Sequence, residues 1–189
     1  MEFERFLAYH CAPALAGIKP ANIASYKKSE NPQLLSDIEA LNNILNKRDI
    51  YIEILCECRE RSLIMLYRSK LLCEYLNTPQ IAALLLKYGY PQGFSLRKYL
   101  EFLKERITLG HTLTKNFPHE IGAFLGYPIH DIYGFINHKN QHCLLTGEWR
   151  VYADADNARK MFCSFKACRK AAVKLLNEGK TLEELFCTA

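Results

Sequence analysis

The chain has eight cysteines but no Cys-x-x-Cys pair. One residue separates Cys56 from Cys58 and four separate Cys163 from Cys168, and neither spacing suits the paired ligands of a structural zinc site. Long apolar runs are also missing. The longest aliphatic stretch, Ile81 to Leu86, is far short of the roughly 20 residues that span a bilayer. The opening Met1-Glu2-Phe3-Glu4-Arg5 carries acid and leads into no long apolar segment, so a secretory signal is not expected. With no mark of export, the thiols should be reduced, several of them in the core, and the protein soluble and cytoplasmic. No low-complexity tract or linker interrupts the chain, and no complete catalytic signature is present.

What is present is an ordinary globular composition. Of 189 residues, 49% are hydrophobic and 24% charged, which suits a single domain spanning 1–189. A net charge of +5 permits an anionic partner without requiring one. The hydrophobic spacing predicts an α+β fold, mostly helical, with a small antiparallel sheet. Residues 2–11 read as a helix that Pro13 ends or bends, followed by a buried loop or strand to Tyr26. Pro32 should start a helix reaching about Asn46. Ile50 to Cys56 and Leu63 to Tyr67 read as a hairpin, and Glu148 to Ala153 as one more strand of the same sheet. Helices are expected at about 70–76, 79–88, 95–108, 118–125 and 129–138, then from Asp154 to Asn177. The last would bury Met161, Phe162, Phe165, Cys168, Ala172, Leu175 and Leu176, leaving Arg159, Lys160, Lys166, Lys170 and Lys174 outside.

The most informative stretch runs from Phe117 to Pro128. Pro118 suits the first turn of a helix that Asn116 could cap, with Glu120 in that turn where the dipole favours a carboxylate. Ile121, Phe124 and Leu125 share one apolar face. Gly126 is placed for the left-handed conformation after the last turn, and Pro128 opens a second helix. Thr78-Pro79 through Gly89-Tyr90-Pro91 faintly echoes this pattern.

Pro118-His119-Glu120 and Leu125-Gly126-Tyr127-Pro128, at this spacing, resemble an uncharacterised family of small proteins from anaerobic, clostridial-type bacteria, classed as a domain of unknown function. Further family-like elements are His10-Cys11-Ala12-Pro13, Leu15 to Ala21, Tyr67 to Leu72, Gly147 to Tyr152, and Phe162, Phe165 and Cys168. Ser69 stands where the resemblance leads one to expect proline, and Ala153 where it leads one to expect glycine. The resemblance brings no established activity with it. The resemblance to anaerobic relatives suggests an iron, haem or flavin connection, but no residue pattern demands a cofactor or a metal.

The residues suggest a small ligand or cofactor held near the Pro118-His119-Glu120 element and the Cys11–Lys19 loop. His119 and Glu120 could supply acid–base chemistry, although neighbours on a helix point about 100° apart and need not serve one site. Cys11 beside Lys19 reads either as an activated thiol or as a buried apolar one. Lys19, near the amides of Gly17, and Arg68, at a strand end, are anion-binding candidates, and Tyr127 is a further lining residue. His138, His142 and Cys143 read as a solvated loop more readily than as metal ligands. A competing reading makes 118–138 a DNA-binding helix-turn-helix. The lack of any lysine or arginine from Pro118 to His138 speaks against it, as would Asp131 facing phosphates. A protein-interaction module without catalysis is the third class.

Overall fold

Asn22, Ala24 and Tyr26, then Ile50 and Ile52, then Ser62, Ile64 and Leu66 are buried at every second position, as one core-facing side of an antiparallel sheet requires. The computed structural model describes residues 2–93, 95–110, 117–139 and 141–187. Strands β1 (Ala21–Lys27), β2 (Ile50–Glu57) and β3 (Arg61–Arg68) form an antiparallel sheet in the order β1-β3-β2. Ala24 lies opposite Ile64 and Ile52 opposite Leu66, and with Tyr26 and Ile50 they face one core. A bulge between Ile54 and Cys56 shifts the register near the end of β2. The hairpin expected from the sequence is therefore present, and the segment before Tyr26 supplies its third strand.

Helices α1 (Glu2–Leu15) and α2 (Leu34–Leu45) cover that face, with Leu7, Cys11, Leu15, Leu34 and Leu45 in the core. Helix α1 runs through Pro13 instead of ending before it. The ring removes one N–H, and the next one, on Ala14, donates to Asn22 Oδ1 at 3.2 Å. Burial of Cys11, Ala12, Ala14 and Leu15 offsets a proline cost of about 3 kcal/mol. Helix α2 starts two residues past Pro32. Its Asn42 side chain both donates to the Ile52 carbonyl and accepts from the Ile52 N–H, each at 2.9 Å. The amide thus stands in for a neighbouring strand along the free edge of β2.

The remaining helices are α3 (Ser69–Leu76), α4 (Pro79–Lys87), α5 (Leu96–Leu109), α6 (Ile121–Phe124), α7 (Ile129–His138), α8 (Ala155–Asn177) and α9 (Leu182–Phe186). The fold class is α+β, mostly helical, with a small antiparallel sheet. The Ser69 N–H donates to the Asp49 carbonyl at 3.2 Å as α3 begins, a bond that a proline there could not make. The segment from Glu148 to Ala153 does not join the three-stranded sheet. Its Arg150–Val151 (β5) pairs with Leu145–Thr146 (β4) as a separate two-stranded ribbon. Leu175 is 37% exposed, because the buried stripe of α8 continues from Phe165 through Ala172 to Leu176, and Leu175 falls about 100° away.

The chain divides into two compact units, Met1–Leu72 with Ala167–Ala189, and Cys73–Lys166. The first holds the sheet, α1, α2 and α9. In it, Ala172, Leu176 and Leu182 complete the core, and the Leu182 N–H donates to Glu4 Oε2 at 2.9 Å. The second holds α4 to α7 and the β4–β5 ribbon, with Trp149, Val151, Ala158 and Phe165 buried together. No helix among the described residues is long and apolar enough to cross a membrane.

Candidate functional site

In the first unit the Cys11–Lys19 loop and Arg68 lie together around the end of α1. Gly17 has φ +72°, and the bonds Ile18 N–H to Pro13 O and Gly17 N–H to Ala14 O close a Schellman turn. The Gly17 amide is therefore engaged by the helix end. Arg68 donates to the carbonyls of Ala14 (Nε, 3.1 Å), Arg48 (Nη1, 3.3 Å) and Leu15 (Nη2), so its charge caps the negative end of α1. Lys19 is buried. The Cys11 thiol is fully buried, and that burial pushes its pKa up to about 12 against the opposing charges of Lys19 and Arg169. A thiol held protonated this firmly is a packing group and a poor nucleophile.

The other candidates lie in the second unit, where the stretch from Phe117 to Pro128 folds differently from its sequence pattern. Asn116 is outside the described residues. Residues 118–120 form a turn, and α6 starts only at Ile121, with Glu120 at its N-cap and Pro118 ahead of the helix. Gly126 has φ +70°, with Tyr127 N–H on Gly122 O and Gly126 N–H on Ala123 O. This is again a Schellman end, and Pro128 caps α7 directly after it. Gly89-Tyr90-Pro91 ends α4 in the same way, with φ +85° at Gly89 and Tyr90 N–H on Leu85 O.

The two Gly-Tyr-Pro corners place their tyrosines inward. Tyr127 stacks near Trp149 (4.9 Å) and donates its hydroxyl to the Glu148 carbonyl at 3.2 Å, while its own carbonyl accepts the Tyr75 hydroxyl. Tyr90 packs among Tyr99, Phe102 and Phe124 and directs its hydroxyl at Glu120 Oε1, 3.5 Å away.

His119 and Glu120 part company at the chain surface. His119 is exposed, its ring edge-on to Phe135 at 5.1 Å. The Glu120 side chain is 0% exposed. Its Oε1 takes the Nε–H of Arg106 from α5, and its Oε2 is buried with no hydrogen-bond partner among the described residues. Burial first, and then the Glu120 charge, push the Tyr90 hydroxyl well above the usual tyrosine range. The same two causes raise Tyr88, whose ring lies 5.5 Å from the Arg106 guanidinium carbon. Arg106 itself loses to desolvation but gains more from the Glu120 hydrogen bond and charge, so its pKa is raised. The arrangement is an ion pair with its carboxylate buried and its guanidinium partly exposed, framed by two tyrosines and, among the described residues, carrying one unfilled acceptor.

Arg106 and Tyr90 are the partners that sequence reasoning overlooked. Both left a trace: Arg106 sits three residues after Leu103 on the buried stripe of α5, and Tyr90 belongs to the fainter Gly-Tyr-Pro echo. Asp131 was also missed as a structural group. It is buried, and accepts from Trp149 Nε1 (2.7 Å), Tyr152 N–H (2.7 Å) and Ala153 N–H (3.2 Å), so it does not point outward from α7. Among the described residues, no group of three His, Cys, Asp or Glu side chains is arranged to hold a metal ion. No curated protein and no solved structure matches the chain. The model of the family described as protein of unknown function (DUF3793) matches residues 7–186, nearly the whole length, and the chain belongs to that family.

Proposed function

We propose that this is a small-ligand-binding protein whose site is built on Glu120, Arg106 and Tyr90. The observation that carries this reading is the Glu120 carboxylate, wholly buried with Oε2 unpaired among the described residues. A buried acceptor without a donor costs about 1–3 kcal/mol, and a side-chain movement that admits a ligand donor to it recovers that cost. Arg106 reaches the same carboxylate from a side chain still 32% exposed, so the pair is linked to solvent. Tyr88 and Tyr90 supply an aromatic frame with hydroxyl groups that stay protonated. On this reading the Pro118-His119-Glu120 element matters through its glutamate.

Native mass spectrometry of protein purified without denaturation tests this. A bound species below about 1 kDa is expected, in a fraction that falls sharply in a folded Glu120→Gln variant. Equal retention by both proteins, or no small-molecule binding by either, removes the assignment.

A further inference from the structure

Resting on that reading, we infer that the ligand is a small zwitterion of the α-amino-acid type, with its ammonium on Glu120 Oε2 and its carboxylate on the guanidinium of Arg106. Glu120 and Arg106 already sum to zero, and one of them is fully buried. A ligand with net charge would bring an unbalanced ion into that environment, which is costly, whereas a zwitterion leaves the balance intact.

Among the described residues Oε2 lacks a donor, and an ammonium gives the strongest one available, a charge-assisted N–H···O bond. Arg106 turns its Nε toward Glu120, which leaves the terminal nitrogens of the guanidinium for a second carboxylate. The Tyr88 ring, 5.5 Å from the guanidinium carbon, restrains its plane for that contact. A phosphate or simple carboxylate would leave Oε2 unmet and sit against the Glu120 charge. A simple amine would satisfy Oε2 but add a positive charge beside Arg106. Only a molecule with both groups close together answers both residues.

Thermal unfolding and calorimetric titration of the purified full chain decide the matter. The probes are the twenty common α-amino acids, their N-acetyl and carboxamide derivatives, acetate, inorganic phosphate and methylammonium, each at about 10 mM. At least one free amino acid should raise Tm. N-acetylation and amidation should each raise its Kd tenfold or more. Glu120→Gln should weaken the free amino acid by a similar factor. Arg106→Gln should make the acid and its carboxamide bind alike, a readout that a merely structural Arg106 would not give. If Glu120→Gln fails to fold, the ligand derivatives with Arg106→Gln still decide.

Equal binding of phosphate, acetate or the N-acetyl form overturns the zwitterion and leaves the ligand-binding reading standing. The same holds if no probe binds while native mass spectrometry shows another small molecule lost in Glu120→Gln. No probe binding and no bound mass overturns both.

Discussion

The indole N–H of Trp149 donates to Asp131 Oδ2 at 2.7 Å, across eighteen residues of sequence and with both side chains buried. The other oxygen of the same carboxylate takes two backbone N–H groups, from Tyr152 and Ala153. One side chain in the first turn of α7 thus fastens the whole strand segment that follows.

Asp131→Ala should therefore leave three donors without their acceptor and destabilise the protein by about 3 kcal/mol or more. Asp131→Asn, which keeps the shape but loses the charge, should cost about half as much. Trp149 is the sole tryptophan, so its fluorescence in a urea titration reports on the site directly.

Gly134 should be intolerant of alanine for steric reasons alone. A Cβ there would lie 2.3 Å from Cγ of Tyr152, whereas the backbone is ordinary helix, where alanine normally gains about 1 kcal/mol over glycine. Gly134→Ala is expected to cost roughly 1–3 kcal/mol. Paired with Tyr152→Ala it should cost markedly less than the sum of the two single changes. Additivity in that double-mutant cycle would show that the contact is not the cause.

At Gly126 the constraint is the backbone. With φ at +70°, Gly126→Ala should destabilise by about 1 kcal/mol. His119→Ala, on an exposed ring, should cost well under 1 kcal/mol. Equilibrium unfolding of the two variants side by side gives the comparison, and a His119→Ala cost above that of Gly126→Ala would contradict it.

The cysteines should differ widely in reactivity. The Cys143 thiol is lowered by the Thr146 hydroxyl and then by Arg150, while Cys11 is pushed up to about 12 by burial. Iodoacetamide near neutral pH should label Cys143 first and Cys11 last. Because the folded state keeps the Cys11 proton that the unfolded chain gives up near pH 9, this contribution is intact below pH 9 and lost as pH rises toward 12. The slope is at most about 1.4 kcal/mol per pH unit. Cys11→Ala should flatten the fall between pH 9 and pH 10, before the buried tyrosines begin to add to it.

The local patterns were readable because each depends on a few adjacent residues. The alternation of Ile50, Ile52, Ile64 and Leu66 announces the hairpin, and Gly126 announces its left-handed turn. The site was only half readable. Glu120 stood out by sitting next to a histidine, yet its partners Arg106 and Tyr90 come from 14 and 30 residues away and depend on how α5 and the end of α4 pack. The role of Pro118 was misjudged for a related reason: a proline is compatible with a turn as well as with a helix start, and only the burial of Glu120 separates the two. Trp149 and Tyr152 read as strand residues because they are aromatic and bulky, but their segment is tied down by Asp131 and, among the described residues, pairs only with β4.

The order in which the two units appear along the chain bears on synthesis. The second unit, Cys73–Lys166, is one uninterrupted stretch, so all of it has been made before the last piece of the first begins. The first is in two pieces, and its core needs Ala172, Leu176 and Leu182 from the last piece. Until those residues are made, Leu7, Leu15 and the inner face of the sheet have nothing to close against at that end. The N-terminal third of a nascent chain would thus be an aggregation-prone client for chaperones through most of translation. A stalled or truncated product ending before residue 167 should be cleared by proteases or go into inclusion bodies.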